Sequence, residues 1–324
     1  MQTICLLATG GTIASKQTKE GRLVAGELSG EELAHSLNTP FDIHLKIDSV
    51  LSKPSIHITY EDLWDIRKKV VENLRAKDIS GVVVTTGTDT LEEVAYFLDL
   101  TVQTSKPVIV TGSQRGPEQV GSDAFVNLRN AMIAAADERV KDLGTVVIFN
   151  ERIFSAKYVR KEHASNIQGF NAFGYGYFGI IDNDQVHLFQ KPITKEAYAL
   201  ADDYTPSKSY EIEIVKVHLG ATNRLLDFVL QDERTSAVIL EGVGRGQVPK
   251  NFMPSIREAK IPIVVTTSAV EGEVYPSYEY EGSTYDLLNH DVILGKDYSS
   301  KKAKIKMYVL LATGQDSLQQ AFER

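Results

Sequence analysis

Two threonine- and glycine-rich turns, Thr9–Thr12 and Thr86–Asp89, contain the residue types in this chain that could do chemistry. A threonine hydroxyl is a poor nucleophile at neutral pH unless a base removes its proton and nearby donors stabilise the developing oxyanion. The second turn supplies a hydroxyl at Thr88, a carboxylate at Asp89 and the amides of a glycine turn. A lysine whose pKa is lowered by burial could complete a Thr-Lys-Asp proton relay, although the spacing alone does not say which lysine.

The second turn is also typical of a helix start. Thr88, Asp89 or Thr90 could cap the helix that the pattern predicts from Leu91. The capping and catalytic interpretations are compatible, because one turn can begin a helix and also present side chains to a ligand.

Each turn follows a short apolar run, Ile4–Ala8 in the first case and Gly81–Val84 in the second. Such runs are typical of buried parallel strands, because both faces of the sheet are covered. Glycines after the strands permit close approach of the backbone, and ligands in α/β proteins bind at the carboxyl edge of the sheet. We therefore expect the two turns to flank one polar pocket for a small substrate.

Strand and helix patterns alternate along the chain, which predicts an α/β protein. We expect a large N-terminal, doubly wound, mainly parallel sheet domain over residues 1–190, a linker over 191–212 and a smaller C-terminal α/β domain over 213–324. The predicted helices are Leu28–Leu37, Thr59–Leu74 with Thr59 as N-cap, Leu91–Thr104, Ser122–Val140, Asn223–Gln231, one that ends at Lys260, and a final helix over Ser300–Leu311. The predicted strands after the first include Val82–Val84, Pro107–Ser113, Gly144–Phe149, Ile212–Val217, Ala237–Leu240 and Pro262–Thr266.

The composition argues against several classes of protein. The formal net charge of −8 disfavours nucleic acid and anionic membranes as partners, because both require clustered cations. One short basic cluster, Lys301–Lys306, is interpreted as a solvated helix face. The single cysteine, Cys5, falls in the first strand and is expected to be a core residue in a reducing compartment. Because no leader pattern precedes that strand and no apolar run approaches membrane-spanning length, we expect a cytoplasmic protein without a membrane partner.

The glycine and histidine patterns do not predict a cofactor or a metal. Gly242–Gly246 has the wrong spacing for a phosphate loop or a dinucleotide fingerprint and is interpreted as a tight turn. The seven histidines show no HExxH sequence and no paired ligand spacing. We therefore expect a site that works without cofactor or metal.

A family resemblance rests on these same segments. Ala8–Ser15 and Thr86–Thr90 resemble, in order and spacing, the two signature segments of the bacterial-type L-asparaginases, the asparaginase/glutaminase family. The resemblance continues through residues 95–102, 106–113 and 123–131 and extends over the whole chain. It implies a large N-terminal and a smaller C-terminal α/β domain, and a homotetramer built from intimate dimers. It also implies hydrolysis of the L-asparagine side-chain amide through an acyl-enzyme, without metal or cofactor.

The resemblance assigns the catalytic roles residue by residue. Thr12 matches the first threonine nucleophile of the family. Thr88, Lys161 and Asp89 match the Thr-Lys-Asp relay, and Asp89 also matches the carboxylate that binds the substrate α-amino group. The amides of Gly11 and Thr88 are the expected oxyanion donors.

The resemblance also assigns a substrate-binding set. Ser55 matches the serine that contacts the substrate α-carboxylate, and Ile56 lies beside it; Ser113 lies where a backbone carbonyl contacts the amide nitrogen. Gly11, Gly87, Thr88 and Asp89 belong to the same set. Gln247 and Glu279 fall where family members place residues that reach a neighbouring subunit's site, so the site is expected to need the dimer.

One departure from the family concerns the lid. Many members carry a lid tyrosine that hydrogen-bonds the first nucleophile, but residues 12–59 of this chain contain no tyrosine, and Leu23 or Val24 occupies the expected neighbourhood. The segment Ser15–Gly26 is polar and interrupted by glycine, which is typical of a flap that closes over substrate or of an ordinary surface hairpin.

The scaffold leaves other functions open. A glutaminase-asparaginase would need room for one more methylene, a difference of roughly 1–3 kcal/mol that pocket shape could supply. An amidotransferase subunit acting on charged tRNA is disfavoured by the acidic charge and by the lack of an added tRNA-contacting domain. A non-catalytic sensor of aspartate or asparagine is favoured only by the missing lid tyrosine.

Overall fold

The computed structural model describes residues 2–18, 23–24, 43–193 and 195–323, which fall into two units, Met1–Thr205 and Pro206–Arg324. The helix predicted over Leu28–Leu37 lies outside the described residues. The domain boundaries expected from the sequence, with a linker over 191–212, stay a prediction. Among the described residues, the helices include none that is both long and apolar enough to cross a membrane.

The first unit is built on one sheet of eight strands, arranged in the order β12-β11-β8-β7-β6-β5-β1-β4. Its strands are β1 (Gln2–Ala8), β4 (Ile43–Ser49), β5 (Ile79–Thr85), β6 (Val108–Thr111), β7 (Thr145–Phe149), β8 (Arg152–Ser155), β11 (Gly179–Asp182) and β12 (Gln185–Leu188). Strands β4, β1, β5, β6 and β7 run parallel to one another, and β8, β11 and β12 add an antiparallel edge. The central strands are apolar and buried because the sheet is covered.

Three helices of the first unit connect the parallel strands: α1 (Tyr60–Arg75), α2 (Leu91–Thr101) and α3 (Ala124–Ala136). The alanine-rich face of α3 packs in one core cluster with alternate residues of the sheet, among them Leu6 and Val83. Helices α1 and α2 pack against each other, with the Trp64 and Phe97 rings edge to face at 4.9 Å. The helix starting after Thr59 is confirmed, because Thr59 and Asp62 form a reciprocal capping box.

Two predicted helices end earlier than the sequence pattern indicates. Helix α2 ends at Thr101 rather than Thr104, since Val102 is already extended. Helix α3 ends at Ala136 rather than Val140, because the Asp137 carboxylate accepts a hydrogen bond from the Arg139 amide and begins a separate 3₁₀ turn, Glu138–Val140.

Two short antiparallel pairs lie outside the large sheet. Strand β2 (Lys16–Gln17) pairs with β3 (Leu23–Val24), and β9 (Arg160–Lys161) pairs with β10 (Phe170–Asn171). Single 3₁₀ turns form at Thr12–Ala14, Ser55–His57 and Phe173–Tyr175. The β9–β10 pair, called the Lys161 hairpin below, carries a residue of the candidate site.

Residues near the end of the first unit are bonded to its helices. The Arg67 guanidinium on α1 is buried and donates to three carbonyl oxygens, those of Thr101, Ala201 and Asp202, at 2.9–3.0 Å. The Tyr198 amide donates to the Leu100 carbonyl at 2.8 Å. Burial lowers the pKa of Arg67, and these three acceptors satisfy its charge in place of a carboxylate.

The second unit is a four-stranded parallel sheet in the order β13-β14-β15-β16. Its strands are β13 (Glu211–Lys216), β14 (Thr235–Gly242), β15 (Ile263–Thr267) and β16 (Ile293–Leu294). Its helices are α4 (Arg224–Gln231), α5 (Met253–Glu258), α6 (Thr284–Leu288), α7 (Ser300–Ala312) and α8 (Leu318–Phe322), with a 3₁₀ turn at Lys250–Phe252. The two units together confirm the predicted fold class, an α/β protein with a large, mainly parallel sheet and a smaller α/β unit.

The basic cluster at residues 301–306 was wrongly interpreted as a solvated helix face. Lys302 and Lys306 are buried. The Lys306 ammonium donates to the Tyr298 hydroxyl at 2.8 Å and lies 5.1 Å from the centre of the Phe322 ring. Phe322 belongs to α8, which follows the helix expected to be the last. A long apolar lysine stem with a hydroxyl and aromatic faces around its ammonium can be buried, and a charge pattern alone does not reveal this.

Candidate active site

The two threonine-rich turns lie side by side because the strands before them are neighbours. Strands β1 and β5 pair in parallel with Ala8 opposite Thr85, and β5 pairs with β6 with Thr85 opposite Thr111. The Thr9 hydroxyl donates to the Thr85 carbonyl at 2.8 Å, and the Thr86 amide donates to the Thr111 carbonyl at 2.9 Å. Three strand ends are thereby held level at the carboxyl edge of the sheet.

Contact between the turns is made through glycine main chains. Gly11 has a φ of +84°, and a Cβ built on it would lie 2.5 Å from Gly87 Cα. Only a residue without a side chain fits there, since both the backbone angle and the space exclude a Cβ. Gly87 in turn faces Ser55, whose Oγ would lie 2.8 Å from a Cβ on Gly87.

Thr88, Asp89 and Lys161 meet at this edge. The Lys161 ammonium donates to Thr88 Oγ1 at 2.8 Å and to Asp89 Oδ1 at 2.8 Å. Thr88 is buried, the Lys161 side chain is 14% exposed and the Asp89 side chain is 67% exposed. The Asp89 carboxylate is thus accessible to a ligand, whereas Thr88 is buried.

The Lys161 hairpin brings the lysine to the site. Lys161 lies opposite Phe170, and the amides of Glu162 and His163 both donate to the Gly169 carbonyl, at 2.8 and 3.2 Å. The hairpin turn is closed by the amides of residues 165 and 166, which donate to His163 Nδ1 at 3.0 and 2.9 Å. Lys161 therefore stands on a locally bonded segment outside the large sheet.

Ser55 and Ile56 lie in the 3₁₀ turn after β4. Ser55 is buried and Ile56 is exposed. The Thr90 hydroxyl donates to the Ser55 carbonyl at 2.8 Å. Thr90 occupies the N-cap position of α2 but its side chain makes no capping hydrogen bond, because the hydroxyl is directed to Ser55 instead. Helix α2 thus starts without a side-chain cap, and the Thr90 side chain stabilises the Ser55 turn instead.

Thr12 and Ser113 lie in the turns after β1 and β6. Thr12 is half-buried and begins a 3₁₀ turn, in which its carbonyl accepts from the amide and the hydroxyl of Ser15, at 3.1 and 2.7 Å. Ser113 is buried, and its hydroxyl donates to the Arg115 carbonyl at 2.8 Å. A Cβ on Gly112 would lie 3.5 Å from Thr88 Cγ2, so the turn after β6 packs against the turn after β5.

One residue of this site was missed by the sequence reasoning. Gln114 Oε1 accepts a hydrogen bond from the Thr88 hydroxyl at 3.1 Å, and its Nε2 donates to the His163 carbonyl at 3.0 Å. The sequence feature that could have identified Gln114 is its position directly after Ser113, where the predicted strand Pro107–Ser113 ends.

Only part of the lid segment is described. Strands β2 and β3 form a short antiparallel pair, with Lys16 opposite Val24. The side chains of Leu23 and Val24, which occupy the neighbourhood of the family's lid tyrosine, and most of the segment between Ser15 and Gly26 lie outside what the structure describes.

Gln247 and Glu279 belong to the second unit. Gln247 Oε1 accepts from the Thr284 amide at 3.0 Å and from the Thr284 hydroxyl at 3.1 Å. Its Nε2 is buried and finds no hydrogen-bond acceptor among the described residues. Glu279 is exposed in the loop before α6. Within the described ranges, no cluster of three or more His, Cys, Asp or Glu side chains could hold a metal ion.

Comparison with known proteins places the chain in a family. Residues 3–194 match the family model described as asparaginase, N-terminal, and residues 211–322 match the glutaminase/asparaginase C-terminal domain. The chain belongs to the asparaginase family. The resemblance in the two signature segments, and the class of enzyme that it implies, are confirmed.

Asparaginases from several bacteria align with nearly the whole chain. An L-asparaginase of Bacillus licheniformis is 48% identical over 322 residues, which cover 98% of each chain. An L-asparaginase 2 of Bacillus subtilis (strain 168) is 29% identical over 326 residues, covering 98% of this chain and 84% of that one. The crystal structure of a probable cytoplasmic L-asparaginase from Campylobacter jejuni matches with a TM-score of 0.88 at 26% identity, over 100% and 99% of the two chains.

This asparaginase-family site combines the elements of acyl transfer. It offers hydroxyls at two adjoining turns, a lysine in hydrogen-bond contact with one of them, and main-chain amides of tight glycine turns. Hydroxyl, base and amide donors are the groups that nucleophilic attack on an amide carbonyl requires.

Proposed function

We propose that this chain hydrolyses the side-chain amide of L-asparagine to L-aspartate and ammonia through a threonine acyl-enzyme. The observation that carries the proposal is the single ammonium of Lys161, which donates to both Thr88 Oγ1 and Asp89 Oδ1 at 2.8 Å. Family membership and the 48% identity to an L-asparaginase over nearly the full chain support it.

In this mechanism the Thr12 hydroxyl attacks the amide carbon. Its proton leaves with the departing ammonia, and water then hydrolyses the ester to release aspartate and restore the hydroxyl. Thr88 accepts the proton of the attacking group, first the Thr12 hydroxyl and then the water, and passes its own proton to Lys161, which is neutral at that point. Asp89 holds the ammonium that results, which returns the proton to the leaving group, first ammonia and then the Thr12 oxygen. The amides of Gly11 and Thr88 donate to the oxyanion that forms when Thr12 adds to the carbonyl.

The substrate is held at its other end by groups of the same edge. The exposed Asp89 carboxylate pairs with the substrate α-amino group, and Ser55 contacts the α-carboxylate with Ile56 alongside. The main chain of Gly87 lines the floor between them, and the Ser113 carbonyl accepts from the amide nitrogen of the substrate. These contacts orient the amide toward the nucleophile, which lowers the entropic part of the barrier.

Ammonia release from asparagine and from glutamine tests this function. We expect Thr12→Ala and Thr88→Ala each to lower kcat by about 10³-fold or more while the protein stays folded. Thr205→Ala, at an exposed loop position, is the matched control and should behave like the wild type.

Three other outcomes would overturn or redirect the proposal. Ammonia release by the wild type no faster than by Thr88→Ala would reject it. Calorimetric binding of aspartate without turnover would select a non-catalytic sensor. Faster release from glutamine than from asparagine would select the glutaminase-asparaginase.

We also propose that the site is completed by a second copy of the chain, within a homotetramer of intimate dimers. The positions of Gln247 and Glu279 support this, because they match residues that reach a neighbouring subunit's site in the family. The exposed Glu279 carboxylate is available to the same neighbour. Sedimentation velocity measures the assembly state, and a monomer that is fully active would reject the proposal.

Mixed oligomers test the contribution of the second copy directly. Thr12→Ala and Glu279→Gln are each expected to be nearly inactive alone. If each site takes Thr12 from one chain and Glu279 from another, co-refolded mixtures should recover about one quarter of wild-type activity. No recovery, with hybrid oligomers demonstrated by mass spectrometry, would place both residues in one chain's site, and a Glu279→Gln variant that is active alone would remove Glu279 from it.

The proposed location is the cytoplasm. The buried single thiol of Cys5 fits a reducing compartment, and the similar chain from Campylobacter jejuni is described as a probable cytoplasmic L-asparaginase. Fractionation of cells expressing the tagged protein tests this, and recovery in the periplasmic or extracellular fraction would contradict it.

A further inference from the structure

The main chain at Gln114 is held in place by hydrogen bonds to the Asp123 carboxylate. The amides of Gln114 and Arg115 both donate to the Asp123 carboxylate, at 3.0 Å for the shortest bond of each. Asn127 Nδ2 donates to the same carboxylate and to the Gly112 carbonyl, both at 3.0 Å. Asp123 and Asn127 are buried, so the turn after β6 is anchored to α3 and presents the Gln114 side chain in one direction.

The orientation of the Gln114 amide follows from its partners. The His163 carbonyl can only accept, so the nitrogen of the amide must face it, and the bond measures 3.0 Å. The oxygen therefore faces the Thr88 hydroxyl at 3.1 Å. Gly169 leaves room for this arrangement, because a Cβ there would overlap the Gln114 amide.

This orientation determines where the single proton of the Thr88 hydroxyl points. Gln114 Oε1 has no hydrogen to give, so the proton of Thr88 is directed at it. The lone pairs of Thr88 Oγ1 are then left to accept from Lys161 Nζ, at 2.8 Å. The hydroxyl must rotate from Gln114 toward Lys161 before Lys161 can remove its proton.

We propose that Gln114 is a positioning residue of this site, which orients the Thr88 hydroxyl and fastens the Lys161 hairpin to the turn after β6. Its oxygen competes with Lys161 for the Thr88 proton, and its nitrogen fixes the hairpin through the His163 carbonyl. The inference rests on the proposed function, in which Thr88 and Lys161 exchange that proton.

Two substitutions separate the two halves of the amide. Gln114→Leu removes both hydrogen bonds, whereas Gln114→Glu keeps an acceptor for Thr88 and loses the donor to His163. The matched control is Gln119→Leu, the same change in the same loop, where the side chain accepts from the Gly116 amide at 2.7 Å. We expect Gln114→Leu to lower kcat by about 10- to 100-fold with KM altered far less, and the control to stay within about twofold of the wild type.

The pH profile of kcat distinguishes proton positioning from loss of packing. Without the competing acceptor, Lys161 takes the Thr88 proton at lower pH, so the acid limb moves down in Gln114→Leu. In Gln114→Glu the added charge moves the acid limb up. The other ionisable groups around the pair, Asp89, Asp123, Arg160, Glu162 and His163, are the same in every variant, as is Arg115 beside Gln114. Acid limbs that coincide, or that move in one direction for both variants, would overturn the proposal.

A crystal structure of Gln114→Leu provides a readout that does not need turnover. We expect the distance from Lys161 Nζ to Thr88 Oγ1 to lengthen in Gln114→Leu while staying within hydrogen-bond range, and the same distance in Gln119→Leu to stay at its wild-type value. An unchanged distance in Gln114→Leu would overturn the fastening role. A wild type that releases no ammonia would reject the proposed function alone, because the distance is measured independently of it.

Discussion

Gly11 packs directly on Gly87, so that the first and second signature turns touch backbone to backbone. The position that a Gly11 Cβ would take lies 2.5 Å from Gly87 Cα, and Gly11 itself has a φ of +84°. This contact sets the separation between the Thr12 and Thr88 turns. Gly11 precedes Thr12 and Gly87 precedes Thr88, and these two threonines carry the proposed catalytic hydroxyls. The distance between the two hydroxyls therefore depends on a contact between residues that have no side chain.

Gly11→Ala is expected to impair catalysis more than stability alone would explain. The new methyl group must push the two turns apart, and a displacement of about 1 Å at the reacting groups costs on the order of 100-fold in kcat. The measurement is kcat for asparagine hydrolysis, together with the free energy of unfolding from guanidinium denaturation.

Gly220→Ala is the matched control for this change. Gly220 has a similar φ of +77°, but no atom of a described residue lies within 4 Å of its Cβ position, so the substitution adds the backbone strain without the clash. A comparable loss of stability in both variants with a loss of kcat only in Gly11→Ala supports the contact. Equal kcat values in the two variants would contradict it.

Thr90→Val should weaken substrate binding through Ser55. The change keeps the shape of the side chain but removes the hydrogen bond of 2.8 Å to the Ser55 carbonyl. We expect KM to rise by about three- to tenfold with kcat changed less, because a loosened Ser55 affects binding more than chemistry. The measurement is the steady-state dependence of ammonia release on asparagine concentration.

The control for Thr90→Val is Thr101→Val at the other end of α2. The Thr101 hydroxyl also donates to a main-chain carbonyl, that of Phe97 at 2.7 Å, but lies away from the turn. Its KM should match that of the wild type. A KM for Thr90→Val that also matches the wild type would show that Ser55 is held without Thr90.

Asp62→Asn should destabilise the protein in a pH-dependent way. Burial by itself raises the pKa of the Asp62 carboxyl. The hydrogen bonds from the Lys53 ammonium and the Thr59 amide lower that pKa by a larger amount, so the pKa is below its usual value. A carboxyl with a lowered folded-state pKa stabilises the fold above its unfolded pKa, and this contribution is lost as pH falls through the folded pKa. We expect a loss of about 1–2 kcal/mol at pH 7 that shrinks below about pH 4.

Denaturation curves of Asp62→Asn from neutral to acid pH measure this effect. Asp65→Asn is the control, the same change at an exposed position of α1, and should leave the free energy of unfolding nearly constant relative to the wild type. A loss for Asp62→Asn that is independent of pH would mean that shape, rather than charge, accounts for the role of Asp62.

Cys5 should be chemically silent in the folded protein. Burial raises the pKa of its thiol to about 11, and the side chain is fully covered. Thiol reagents attack the thiolate, so a disulfide reagent at about pH 8 should label no thiol in the native protein. In concentrated guanidinium chloride it should label the one cysteine of each chain. Rapid labelling of the native protein would show that β1 opens readily.

Features with a local cause could be read from the sequence. The start of α1 was predicted because Thr59 and Asp62 satisfy each other's backbone amides within one turn. The strands that end at Thr85 and Thr111 were predicted to end at Val84 and Ser113, close to the observed positions, because apolar runs and glycines mark them directly. The ends of α2 and α3 were placed too late, since Thr104 and Val140 still fit the helical pattern while the backbone has already left it.

Features that depend on contacts between residues far apart in the chain could not be predicted from the sequence. Lys306 is buried because Tyr298 and Phe322 lie around its ammonium, and no spacing rule distinguishes it, or the buried Lys302, from solvated lysines. Gln114 escaped notice because its partners come from two other segments, at Thr88 and His163. Lys161 was assigned through the family resemblance, since the sequence pattern alone left every lysine open.

Thr88 and Lys161 lie in parts of the fold that differ in how many neighbouring strands hold them. Thr88 follows a central strand of the large sheet, whereas Lys161 belongs to β9, a two-residue strand that pairs with β10 alone among the described residues. A folded sheet therefore does not by itself bring Lys161 to Thr88. In the proposed mechanism, a chain whose sheet has formed but whose ribbon is not yet seated would carry the Thr88 hydroxyl without its base, so activity would depend on the seating of that ribbon.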